Sequence, residues 1–340
     1  RKRTKMFTAN TATKQPKNSS QKQRVFVVGG TGRTGSRLVE RLRRDPFFDD
    51  VTVLARDKEK ANNLFNNNNN HKTNGSATTP SSLMRNDDNN GGGRNTDNNK
   101  KTVKVVVGDL SNVAAWEHNL EGTTHVVTAV SSGTRTNPLA LLGFVPLPTN
   151  LSKNIDCDGI GALADAAKER GVQRLVQVTT ASTGTPWSPV AVFLNALCYM
   201  SVKWKFEGEQ AVRRSGLDYV VIRPFGLTDT PRGKDTGYGV EISQGKTKGN
   251  RRRIPREDVA ALCHQALRLE GESKMTFECW ATDQHDRPLD WSKLRRDPSA
   301  VTEVNHNAAV ATILTGAAIT GGLLGYGGYL GTRIVLRSLL

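Results

Sequence analysis

The amino-acid sequence predicts an α/β fold, a doubly wound parallel sheet with helices on both faces. Two observations carry that reading. Six short apolar runs alternate with segments of helical character, and the first run ends in a glycine-rich turn that opens directly into a helix. The runs are RVFVVGG (24–30), VTVLAR (51–56), VKVVVGDL (103–110), THVVTAV (124–130), RLVQVTT (174–180) and DYVVIRP (218–224). They are near-continuous in Val, Ile and Leu, as strands covered on both faces are. The helical stretches are GSRLVERLRR after the first run, GIGALADAAKERG before the fifth, and FLNALCYMSVKWKFEGEQAVRRSG before the sixth. Strand–helix alternation of this kind builds parallel sheets.

The glycine turn is GGTGRTG, with Gly29, Gly32 and Gly35 spaced G-x-x-G-x-x-G. Glycines there permit a tight turn, let backbone N–H groups approach a pyrophosphate, and let the helix pack on the strand. The helix N-terminus then favours phosphate charge. After a strand and before an amphipathic helix, in the first βαβ unit, the motif predicts a Rossmann-like dinucleotide site. Its second strand ends VTVLARD, so Arg56 emerges where NAD sites carry an acid for the ribose 2′-hydroxyl, and Arg33 adds a second cation in the loop. Guanidiniums suit a 2′-phosphate, which favours NADP(H); the alternative is that Arg56 pairs with Asp57 at the surface.

Composition sets the limits. The chain has 340 residues, room for one large domain with extras, and a hydrophobic content of 36% that leaves some segments outside a packed core. The net charge of +16 is uneven: the first 24 residues hold eight Lys or Arg and no acid. That arm (1–23) has the make-up of an organellar transit peptide, for a plastid or a mitochondrion, or is a solvated basic tail. Residues 62–101 contain fourteen asparagines and almost nothing apolar, and are expected to form a disordered insertion within the domain at 24–290. A linker (291–307) leads to Ala308–Gly331, 24 residues without a charge, followed by a short basic tail (332–340). That length suits a transmembrane hydrophobic helix, with Gly321-x3-Gly325 and Gly327-x3-Gly331 as spacings for a protein partner. The other reading is a Gly/Ala-rich helix packed on the domain. Four cysteines without C-x-x-C or histidine spacing indicate a reducing compartment and predict no metal site. KTKGNRRRIPRE (246–257) is basic but lacks aromatics, which argues against nucleic acid.

The stretches FVVGGTGRTGSRLVERL, VVVGDLSN, IDCDGIGALADAAKERGVQRLVQVTT, WKFEGEQAVRRSGLDYVVIRPFGLTD and RRIPREDVAALCHQALRLE resemble the atypical short-chain dehydrogenases of the NmrA-like group. They look particularly like its plant-type branch, which includes the NADP-binding component of the chloroplast translocon. The resemblance implies that Gly29, Thr31, Gly32, Arg33, Thr34 and Gly35 hold the phosphates and Arg56 the 2′-phosphate. It puts Asp109 and Leu110 beside the adenine, Ala129, Val130 and Ser131 along the ribose, and Pro224 over the nicotinamide. Thr180 takes the place of the carbonyl-polarising serine.

Two registers compete for the catalytic lysine. YMSVK offers Tyr199 and Lys203 at helical spacing, the usual proton donor and its lysine. The family pattern K-x3-E-x5-SG instead matches Lys205, Glu209, Ser215 and Gly216, with Ser201 where the tyrosine belongs. The two faces lie roughly 200° apart on a helix. Gly208 and Val212, on the Lys205 side, are expected to lie against the sheet. The Lys205 register implies a protein without the usual general acid. The functional expectation is therefore a membrane-tethered NADP(H)-dependent oxidoreductase of an unidentified small-molecule substrate. The alternative is a non-catalytic NADP(H)-binding scaffold at an organellar membrane.

Overall fold

A computed structural model describes residues 22–67, 100–132, 151–230, 239–245, 251–282, 289–298, 304–309 and 311–312. The six predicted runs form β1 (Arg24–Val28), β2 (Asp50–Ala55), β3 (Val103–Val107), β4 (His125–Thr128), β5 (Arg174–Val178) and β6 (Asp218–Pro224). Two strands that the apolar runs did not reveal extend the sheet. β8 is Gly239–Ser243 and β10 is Met275–Thr282, while β7 (Leu227–Thr228) and β9 (Ile254–Pro255) make a separate two-residue ladder. The main sheet runs β3-β2-β1-β4-β5-β6-β10-β8, with every neighbouring pair parallel except β10 and β8.

Both faces are covered. α1 (Arg33–Leu42) turns Leu38, Val39 and Leu42 inward at three- and four-residue spacing, and α6 (Arg256–Leu267) packs beside it with Val259, Leu262 and Ala266. The opposite face is closed by α3 (Ile160–Glu169) and α5 (Ser201–Arg214), and by Trp116, which stacks on Phe26 with ring centroids 5.5 Å apart. The sheet is thus buried on both sides, which explains the absence of alternation in its central strands.

Several expectations change on contact with the structure. The stretch 193–216 is two helices, α4 (Pro189–Leu197) and α5. Tyr199 and Met200 adopt left-handed backbone angles (φ 47° and 56°) and break the chain direction. The Asn195 side chain, accepting the N–H groups of Val202 and Lys203, caps the second helix in place of continuity. Disorder was expected from residue 62, yet α2 spans Lys58–Phe65. Asp57 caps it, and Ala61 and Phe65, one turn apart, are buried. The asparagines there are outvoted by one capping residue and two apolar ones. Residues 68–99 lie outside the described residues, as does the basic arm apart from 22 and 23.

Residues 289–298, expected to belong largely to a linker, pack on the domain. Leu294 is buried and Asp297 accepts from Thr276, Arg213 and Tyr219. The expected membrane span 308–331 falls outside the described residues except for 308, 309, 311 and 312. Among the described residues no helix is long and apolar enough to cross a membrane.

Candidate functional site

In this strand order the chain reverses direction between β1 and β4, and the crevice beyond their C-terminal ends is where open α/β sheets bind ligands. The glycine loop stands there. Gly29 has φ +85°, and a side chain on it would meet the Ala129 carbonyl oxygen at 2.7 Å. A side chain on Gly35 would lie 2.1 Å from the Gly29 oxygen. Only glycines allow the loop to fold this tightly against β4. Gly32 caps α1 without a side-chain hydrogen bond, and the helix's own first turn carries no acid, so its backbone donors and dipole suit an anion. A phosphate cradle fits these residues.

The loop brings together Gly29, Ala129 and Val130, three residues predicted from separate parts of the sequence. Ser131 follows, exposed. Thr31 and Thr34 lie in the loop and the first turn. At the β2 end, Arg56 is exposed, with its Nε 3.9 Å from Asp109 Oδ2. Asp109 caps the 3-10 turn Leu110–Ala115. Burial favours its protonated form, but the Ser111 N–H and hydroxyl, together with Arg56, hold the carboxyl below its ordinary value. Leu110 is buried beside it. Arg33 does not join Arg56: its guanidinium is 2.9 Å from Asp229, in the segment after β7.

Lys205 reaches the same crevice from α5. Its Nζ lies 2.6 Å from Asp156 Oδ1 and 3.5 Å from the Val130 carbonyl oxygen. Asp156 sits on a π-helical turn, Lys153–Gly159, and is buried. Gly208 makes the approach feasible, since a side chain there would meet the Asp156 carbonyl oxygen at 2.0 Å. The glycine therefore faces this turn rather than the sheet, while Val212 is buried in the cluster that joins the strand residues Leu175, Tyr219 and Val221 to α3. Asp156 was not anticipated; nothing in IDCDG distinguishes it until α5 is laid across it.

Tyr199 and Lys203 are not a helical pair, because Tyr199 precedes α5 in the left-handed turn. The Lys203 Nζ lies 4.2 Å from the centre of the Trp204 ring. Burial pushes its ammonium below the ordinary value, although Glu207 and Cys157 favour the charge. Ser201 opens α5. Thr180 follows β5, and its carbonyl accepts the Thr183 hydroxyl. Its neighbour Thr179 donates to Glu209 at 2.6 Å. Glu209 is fully buried, which by itself disfavours its charge. Arg223, Arg213 and Thr179 hold it ionised, below the usual carboxylate range. This network fixes the β5 loop that presents Thr180. Pro224 ends β6, buried. Among the described residues no His, Cys, Asp or Glu cluster is arranged to hold a metal.

Comparison with known proteins agrees with this geometry. A family model described as NAD(P)H-binding matches residues 84–270, just over half of the chain. The uncharacterized chloroplastic Arabidopsis thaliana protein At2g34460 is 29% identical over 257 residues, which cover 71% of this chain and 76% of that protein. A second chloroplastic Arabidopsis protein, At2g37660, is 30% identical over 181 residues, and the match spans only 52% of its length. Among solved structures, an assigned NAD-dependent epimerase/dehydratase from Bacillus halodurans superposes with a TM-score of 0.53 at 20% identity. That match covers 77% of this chain and 96% of that one, and it speaks for the fold.

Proposed function

The chain belongs to the NAD(P)H-binding family, and from that premise we propose that it is a plastid NADP(H)-dependent oxidoreductase of a small organic substrate, working without a tyrosine general acid. The observation that carries this is Lys205, whose ammonium sits against the β4 end beside the glycine loop, with Ser201 one turn before it. When bound, the reduced dinucleotide supplies a hydride. The chain's own residues do the rest. The glycine loop and first turn of α1 hold the phosphates, Lys205 donates to the ribose hydroxyls, and Arg56 meets the 2′-phosphate. Thr180 donates a hydrogen bond to a substrate carbonyl. The proton must then come from solvent or substrate, because neither Ser201 nor Thr180 is acidic enough near neutral pH.

The missing tyrosine also favours a second reading, a non-catalytic NADP(H)-binding scaffold. A panel of carbonyl and quinone substrates separates the two: NADPH oxidation that depends on one of them supports the oxidoreductase, and tight NADPH binding with no turnover across the panel supports the scaffold. The preference for NADP has its own test. Arg56→Ala removes a charge-assisted contact of about 1.5–3 kcal/mol with the 2′-phosphate and is expected to weaken NADPH binding far more than NADH binding. Equal losses for both cofactors would remove Arg56 from that role.

Plastid residence rests on the acid-free basic arm and on the two chloroplastic relatives. Membrane attachment rests on the uncharged run 308–331 alone. Carbonate extraction of the full chain from membranes tests it, with release into the soluble fraction as the contrary result.

A further inference from the structure

Asp229 gathers three arginines from two helices. Its carboxylate lies 2.9 Å from Arg33, 3.6 Å from Arg37 and 2.9 Å from Arg256. Arg33 and Arg37 are one turn apart on α1, and the stripe continues to Arg41, which bonds Glu257 at 2.8 Å. Arg256 is the first residue of α6, and its side chain is only 12% exposed. Isolated surface ion pairs contribute little, but several guanidiniums on one carboxylate form a network, and one of them is largely withdrawn from water.

The position of Asp229 gives the cluster its meaning. The chain leaves β6 at Pro224 and is held by backbone bonds as it goes. The Phe225 N–H donates to the Cys279 oxygen at 2.8 Å, and the Ile254 N–H donates to the Gly226 oxygen at 2.8 Å. β7 pairs with β9, and Arg253 donates to the Leu227 oxygen. The segment then reaches the first turn of α1, where Asp229 meets Arg33, a residue of the glycine loop. Residues 225–230 therefore join the nicotinamide end of the proposed site to its phosphate end. One end is fixed by backbone hydrogen bonds. Among the described residues, the other is fastened to the helices by the side chain of Asp229.

We propose that Asp229 is the releasable fastening of a strap, residues 225–230, that retains the bound dinucleotide. This rests on the dinucleotide reading above. Its ion pairs must break for the strap to lift, so they set the rate of cofactor release. Pairing with three arginines also spares the cofactor phosphates from facing a bare carboxylate.

Stopped-flow release of NADPH from the full chain tests this. Asp229→Asn is expected to speed release roughly tenfold, with a smaller change in association, and Asp229→Glu to restore slow release. Added salt is expected to speed release from the wild type more than from Asp229→Asn, because the exposed ion pairs of Asp229 are screened in the wild type alone whereas the phosphate contacts are screened in both. Unchanged release in Asp229→Asn with a lowered melting temperature of the free protein would overturn the proposal, leaving a staple between α1 and α6. Slower release and tighter binding would also overturn it, making Asp229 a competitor of the phosphates. Equilibrium titration of the wild type with NADPH comes first. No binding there refutes the dinucleotide reading itself, and the strap with it.

Discussion

At the scale of single residues, the proposed function turns on the lysine of α5. Lys205 is paired with Asp156 and touches the β4 end, whereas Tyr199 stands outside the helix that would align it with Lys203. Removing Lys205 alone would leave Asp156 charged and buried, a loss of fold unrelated to binding. The informative variant is Lys205→Met with Asp156→Asn. It is expected to weaken NADPH binding roughly tenfold while melting near the wild type, since a charge-assisted ribose contact is lost. Tyr199→Phe is expected to alter neither binding nor turnover. A Tyr199→Phe protein that binds NADPH but has lost a measurable reductase activity would reverse the assignment. A second residue contributes to the response to acid. His125 is buried in β4 against Phe47 and Phe48, and burial, aided by the charge of Arg174, lowers its pKa to about 4. The unfolded chain takes up a proton near the ordinary histidine value of about 6.5, which the folded chain resists, so stability present above that pH is lost as pH falls toward 4. By pH 5 the loss from this one group is about 2 kcal/mol. Urea midpoints between pH 7 and 5 measure it, and a His125→Asn protein should show a shallower slope.

Among the elements, six strands and the glycine turn were readable because apolar runs and glycine spacing are local signals. β10 was not, since MTFECWAT sets a glutamate between buried residues, and Glu278 is accommodated by pairing with Arg251, 3.0 Å away, with Arg223 also favouring its charge. The break between α4 and α5 was hidden for a similar reason. Left-handed Tyr199 and Met200 carry no glycine to announce them, and the cap that permits the break comes from Asn195, seven and eight residues ahead of the N–H groups it accepts. In the candidate site, the tight glycine loop was legible, while Asp156 and Asp229 were not, because each meets a partner far along the chain. The asparagine-rich region hid its own anchor. The Asn66 amide donates to the Val103 oxygen at 2.9 Å and accepts the Val103 N–H at 3.1 Å, standing in for a neighbouring strand at the start of β3. Asn66→Ala leaves both groups unmatched beside a buried valine and should cost about 1–3 kcal/mol of unfolding free energy. A change within a few tenths of a kcal/mol would show that water replaces the amide without loss.

For the whole molecule, the proposed function requires that the cradle of glycines between β1 and β4 bind NADP(H) in preference to NAD(H). A ligand that binds only the folded chain stabilises it by an amount set by its concentration relative to Kd, about 2.7 kcal/mol at a hundredfold excess over Kd. For a domain of this size that corresponds to a rise in melting temperature of several degrees. Thermal unfolding of the full chain with NADPH, with NADH at the same concentration, and with neither is the most direct measurement. A clear rise with NADPH and a much smaller one with NADH is the predicted result. No rise with either dinucleotide, or an equal rise with both, would contradict it.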